Sequence, residues 1–344
     1  MNDINRREFL LGAAVAVSTI LGSRVSSVEV SKTDEFVEPE IIWDRDARDV
    51  AISLNDTDKL AFSSNGWVYT MDLSNRETRL LASEHRCEHP TWSPNGDYLV
   101  YSAYLEKNYK IAIVGADGND KRYIADDLLY PSWSPTQNKI LATSPNKDLF
   151  LLIENAENWE RVPIGQGINP VWSPDGQRFA FETSRDGNAE IYIADADGSN
   201  QVNITNNDRA DYAPTWFPDG NSLIVDSNRD ATTAPYNRDY NLYKVDLSDY
   251  STERLTESVG VDAFSAISQG GKIAYIANAT DEIVLFGNPT LLTNNGPKIL
   301  SDGRCRKVHW QNEEYLILEG YKGKLARIST YVYRQYMPNI QQNG

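Results

Sequence analysis

The sequence predicts an all-β chain, a β-propeller of four-stranded antiparallel blades, seven in number with six as the alternative, closed by its N- and C-terminal strands. Three observations predict it. A tryptophan-centred motif recurs at Trp92, Trp133, Trp172 and Trp216, at intervals of 41, 39 and 44 residues. Turn signals divide each copy into four short apolar runs, none able to bury both of its faces alone. The 344 residues are 40% hydrophobic, enough for a core, and no apolar run after residue 27 is long enough to span a membrane.

The copy from Asn169 to Thr205 carries the pattern most fully. In Ser173-Pro174-Asp175-Gly176, proline takes the second and glycine the fourth place of a type I turn, where a fixed φ and a small residue are favoured. Arg178 to Thr183 is a β-rich run, Ser184 to Asn188 turns, and Ile191 to Ala194 is the next run. Asp195-Ala196-Asp197-Gly198 then reads as a plain hairpin turn, since it lacks the twelfth-position acid of a calcium loop. Val202 to Thr205 supplies the fourth strand. Three degenerate anchors extend the series, Ile52 in VAISLND, Ile267 in SAISQGG and Trp310 in VHWQNEE, which gives seven.

The motifs HPTWSPNG, YPSWSPTQ, NPVWSPDG and APTWFPDG, with SRDGN and IYIAD following the third, resemble the TolB-type propeller repeat, a WD-like family. The resemblance covers about residues 40 to 336. It implies a β-propeller, usually exported, which different members use as a docking scaffold, as a gate on a peptidase or as a lyase scaffold. Function therefore has to be argued from the site. The chain reads as a propeller alone, because a repeat architecture grows without dividing into domains.

Residues 1–27 resemble a twin-arginine export signal: Arg6 and Arg7 precede a thirteen-residue apolar run, Phe9 to Leu21, too short to cross a bilayer. Residues 28–39 read as a polar tether, 40–336 as the propeller and 337–344 as a tail. Glu40 to Trp43 is an isolated strand before the first anchor, expected to complete the last blade as its outer strand. Tyr331 to Tyr336 is the alternative candidate for that place.

A net charge of −16 excludes nucleic acid and anionic membrane surfaces as partners, since both require a basic face. The reading is a monomer without a cofactor or metal. In a propeller the inter-blade links and the loops between second and third strands share one face, and this face is the expected binding surface for an unidentified protein or glycan. It gathers Arg86 and His89, then Tyr104 and Tyr109 from an enlarged connection, and Tyr212. The fourteen-residue insertion Asn228 to Asn241 adds Tyr236, Arg238 and Tyr240, and the last link adds Arg306 and His309.

No catalytic residue is assigned. The chain has three histidines, His85, His89 and His309, and no G-x-S-x-G elbow. Oligogalacturonate lyases resemble the chain in their repeats but rely on a histidine-rich metal site, which three histidines do not readily supply. The main reading is a non-catalytic scaffold. The alternative is a carbohydrate-active enzyme, such as a lyase of acidic oligosaccharides, working in the central channel. Convergence of His89, His309, Arg86 and Arg306 with acids on one cavity would favour the enzyme. Cys87 and Cys305 hold equivalent positions two blades apart, a poor geometry for a disulfide.

Overall fold

The structure is a computed structural model, and it describes residues 38–156, 158–230, 239–257, 260–279, 288–293, 296–301 and 304–330. The export signal, most of the tether, the Tyr331 to Tyr336 segment and the tail lie outside the described residues. Among those described, 28 strands form seven four-stranded antiparallel sheets, the blades of a seven-bladed propeller. Six sheets are built from four consecutive strands. The seventh runs Lys307–Trp310, Tyr315–Tyr321, Lys324–Ser329 and then the N-terminal strand Glu40–Trp43, with Glu40 opposite Arg327 and Trp43 opposite Leu325. The N-terminal strand is thus the outer strand of the last blade, as expected.

The blades cohere through the surfaces between them. Buried hydrophobic residues fall into seven clusters, each drawn from two neighbouring blades. Ala61 and Val68 of the first blade pack with Leu99 and Tyr101 of the second, and Ile317 and Leu325 of the last pack with Leu60 and Phe62 of the first. A lone blade would leave both apolar faces in water, so stability belongs to the closed ring.

Four anchors add a directional tie. The indole N–H of Trp92 donates to Ala51 O at 3.1 Å, and those of Trp172, Trp216 and Trp310 donate to Ser132 O, Val171 O and Ala266 O, each at 3.0 Å. Each acceptor is the residue just before the anchor of the preceding blade. Where the anchor is Ile52, the seam to the last blade is held instead by Gln311 Nε2 donating to Asp58 Oδ1 at 2.8 Å and by Arg306 paired with Asp46. Trp43 adds a further tie across this seam, packing on Phe62 and Tyr69 while its N–H donates to Ser64 Oγ at 3.2 Å.

The SPDG turn is as the sequence predicts: Gly176 N–H donates to Ser173 O at 2.9 Å, with Gly176 at φ +66°. A Cβ there would lie 2.1 Å from Thr136 Oγ1, so both the backbone and the neighbouring blade require glycine.

One feature recurs around the axis. Three residues before the anchor, Asp49, His89, Tyr130, Asn169, Ala213 and Phe264 all take left-handed backbone, with φ between 50° and 56°. The register of the innermost strand against its neighbour shifts at each of these points, between Glu88 and Thr91 for instance. These are β-bulges, and they turn successive residues toward the axis. The seventh innermost strand is regular, with Lys307 directly opposite Glu319. Left-handed backbone costs an L-residue roughly 1–2 kcal/mol, and at four of the six points the preceding blade offsets this with a hydrogen bond. His89 N–H donates to Asp49 Oδ2 at 3.3 Å, Tyr130 N–H to Ser102 Oγ at 3.0 Å, Ala213 N–H to Glu182 Oε1 at 2.8 Å and Phe264 N–H to Asp226 Oδ2 at 3.1 Å.

Candidate binding site at the channel mouth

The bulged residues begin the innermost strands, so they sit at the end of the ring where the inter-blade links arrive. Around them is a cavity of about 740 Å³, lined by His89, Tyr130, Asn169, Tyr212, Tyr240, Phe264 and Lys307 among others. The prolines of the P-x-W motifs, Pro90, Pro131, Pro170 and Pro214, supply much of its wall. Proline lacks an N–H, so it can stand beside a bulge without leaving a donor unpaired. A second space of about 260 Å³ adjoins the first, and Glu182 and Tyr212 line both.

The expected surface residues divide into three groups. His89, Tyr212 and Tyr240 line the cavity, with the two tyrosine rings 5.9 Å apart. Arg86, Tyr104, Tyr109, Arg306 and His309 are not part of its lining. Tyr236 and Arg238 lie outside the described residues. The connection carrying Tyr104 and Tyr109 is a lengthened hairpin: strands Tyr98–Leu105 and Asn108–Gly115 meet at a two-residue turn, Glu106-Lys107, both left-handed. Tyr104 and Tyr109 face each other across it, with ring centroids 5.0 Å apart.

The basic side chains are committed elsewhere. Arg86 meets Glu88 at the surface, Arg306 is bound to Asp46 and to Ala47 O, and His309 Nε2 lies 3.3 Å from Glu319 Oε2. His89 Nε2 lies 3.5 Å from Asp49 Oδ1, and its ring meets Tyr130 edge-on at 4.3 Å. Burial holds the His89 pKa below the ordinary imidazole value, with Lys307 adding to this and Asp49 and Glu88 opposing it. Among the described residues no group of three or more His, Cys, Asp or Glu side chains is arranged to hold a metal ion. Cys87 and Cys305 are both buried free thiols, and burial pushes Cys87 up to about 12, which marks it as an inert core residue.

Sequence reasoning missed two acids of the cavity wall. Counting three residues from the partner of each anchor gives one equivalent position on every second strand: Ser63, Ser102, Thr143, Glu182, Asp226, Ile276 and Glu319. Glu182 and Asp226 line the cavity. Burial raises the pKa of both, and for Asp226 the charges of Glu182 and Asp262 raise it further. Glu319 behaves oppositely. Burial opposes its charge, but His309, Lys307 and Arg306 hold its carboxyl below the usual range. The signal for the two acids was a charged residue inside an apolar strand, in RFAFET and SLIVDS.

The family model described as TolB beta propeller domain matches residues 103–309. Uncharacterized protein Atu1656 of Agrobacterium fabrum is 31% identical over 134 residues, covering 33% of this chain and 46% of that protein. Tol-Pal system protein TolB of Anaeromyxobacter dehalogenans is 29% identical over 110 residues, covering 29% of this chain and 24% of that protein. The matched stretch thus spans less than half the length of either relative. Among solved structures, oligogalacturonate lyase from Vibrio parahaemolyticus superposes with a TM-score of 0.63 at 14% identity, over 85% of this chain and 91% of that one, a likeness of fold.

Proposed function

The chain belongs to the TolB beta propeller domain family, and on that premise we propose that it is an exported, non-catalytic scaffold that docks a protein or glycan at its channel mouth. The single observation that carries the reading is the cavity itself. It is a preformed concavity with an aromatic and proline wall, Tyr130, Tyr212, Tyr240 and Phe264 beside Pro90, Pro131, Pro170 and Pro214, on a rigid ring of bulges. Of the four basic residues whose convergence would favour catalysis, His89 alone lines it. Export is supported by the paired arginines and short apolar run near the N-terminus. The same wall carries two buried acids, Glu182 and Asp226, beside His89 and Lys307.

The test is capture from envelope extract on immobilised full-length protein, beside Tyr130→Ala/Tyr212→Ala and a control, Asp197→Lys, in a hairpin turn at the far end of its blade. A partner retained by the parent and the control and lost by the double variant supports docking at the mouth. Retention by all three forms overturns that location. Release of unsaturated product from oligogalacturonate, with or without divalent metal, would overturn the non-catalytic reading.

A further inference from the structure

We infer that the cavity wall formed by Glu182 and Asp226 is a binding subsite for the protonated primary amine of a ligand. This goes beyond the docking reading and does not depend on it. Both acids line the cavity, and both are buried, each 4% exposed. Each gives one oxygen to a bulged amide of the next blade, Glu182 to Ala213 and Asp226 to Phe264. The other oxygen of Asp226, Oδ1, is buried and has no hydrogen-bond partner among the described residues.

Holding a bulge does not require a carboxylate. At the equivalent position two blades before Glu182 and three before Asp226, the Ser102 hydroxyl accepts from Tyr130 N–H at 3.0 Å. A buried acid in that role carries a desolvation cost that a hydroxyl avoids, unless a cation accompanies it. The third acid of the series has its cations, since Glu319 lies 3.7 Å from Arg306 Nε and 3.3 Å from His309 Nε2. For Glu182 and Asp226, no lysine, arginine or histidine among the described residues forms an ion pair. Both acids border the cavity, whose lining also includes His89 and Lys307, and among the described residues neither of these pairs with Glu182 or Asp226.

An ammonium suits the place. It is compact, donates three hydrogen bonds and can be approached by the faces of aromatic rings such as Tyr212 and Tyr240. A metal ion suits it less, because no three ligating side chains converge among the described residues. Pairing with an ammonium requires the acids to release their protons, so binding strengthens as pH rises, until the amine itself deprotonates near ~10.4.

Calorimetric titration of the full-length protein with pentylamine, and with pentanol as the neutral isostere, tests the inference. Pentylamine is expected to bind at least about tenfold more tightly than pentanol at pH ~8, with the difference shrinking at pH ~5. Asp226→Asn is expected to weaken pentylamine by about tenfold or more and to leave pentanol unchanged, because the Asn carbonyl still accepts from Phe264 N–H. Equal affinity for amine and alcohol, no amine binding, or an undiminished Asp226→Asn would each overturn the subsite. A water held on Asp226 Oδ1 in place of a ligand gives the first of these results. Should Asp226→Asn fail to fold, Glu182→Gln carries the same comparison.

Discussion

The indole nitrogen of Trp172 donates to the carbonyl of Ser132 in the preceding blade, across 3.0 Å. The equivalent nitrogen of Trp133 is buried and makes no such bond. Phenylalanine at either position keeps most of the apolar area and removes the donor. Trp172→Phe is expected to cost about 1–2 kcal/mol, the lost bond plus an orphaned carbonyl. Trp133→Phe should be nearer neutral in the same urea unfolding experiment. Equal costs would show that the indole matters only for its bulk.

Ring closure rests on Trp43, which packs on Phe62 and Tyr69 of the first blade from the outer strand of the last. Trp43→Ala is expected to destabilise by about 2–4 kcal/mol, in the range of large core truncations. Deleting residues 28–44 should abolish the cooperative thermal transition. A deletion that melts like the parent would mean that the ring holds without its N-terminal strand.

Ala213 sits at φ 51° and donates its N–H to Glu182. Glycine adopts that backbone without the Cβ clash, so Ala213→Gly is expected to be neutral or stabilising by up to about 1 kcal/mol. Ala213→Val places a β-branched residue in the left-handed region and should cost more than about 2 kcal/mol. Melting temperatures of the pair decide whether the bulge is held against backbone strain.

Asp226 has a folded-state pKa raised chiefly by burial, and by Glu182 and Asp262. Its contribution to stability is therefore complete below the unfolded-state pKa and is lost as pH rises through the folded value. Asp226→Asn removes that loss. The variant should match the parent near pH ~4 and exceed it at pH ~8 by about 1–3 kcal/mol, the scale of an uncompensated buried polar group. Denaturant titrations at the two pH values check the sign, and a variant weaker at pH 8 would show that Asp226 already has a cation.

The blades were legible because their determinants are local. A tryptophan, a proline-glycine turn and an apolar run lie within ten residues of one another, and the forty-residue spacing repeats them. Ile52 and Ile267 could be placed by spacing although they lack the indole that ties neighbouring blades. The bulges were not legible. Asp49, His89, Tyr130, Asn169, Ala213 and Phe264 share no side-chain chemistry, because the shared property is backbone conformation and its hydrogen-bond acceptor usually lies in another blade. For the same reason, reading the loop face picked out Tyr212 and Tyr240 but passed over Glu182 and Asp226, which reach the mouth from inside strands. Arg306 and His309 were read as part of the loop face, but their partners, Asp46 and Glu319, could be identified only once the ring was closed.

The pairing of Glu40 with Arg327 also sets how the ring meets mechanical load. The strands Glu40–Trp43 and Lys324–Ser329 are antiparallel, so the chain leaves the last blade on both sides of the latch at one edge. Tension applied through the two ends would separate these strands one rung at a time, like a zipper, and would not shear all the rungs together. A ring closed by this latch is thus expected to open from a single seam when pulled.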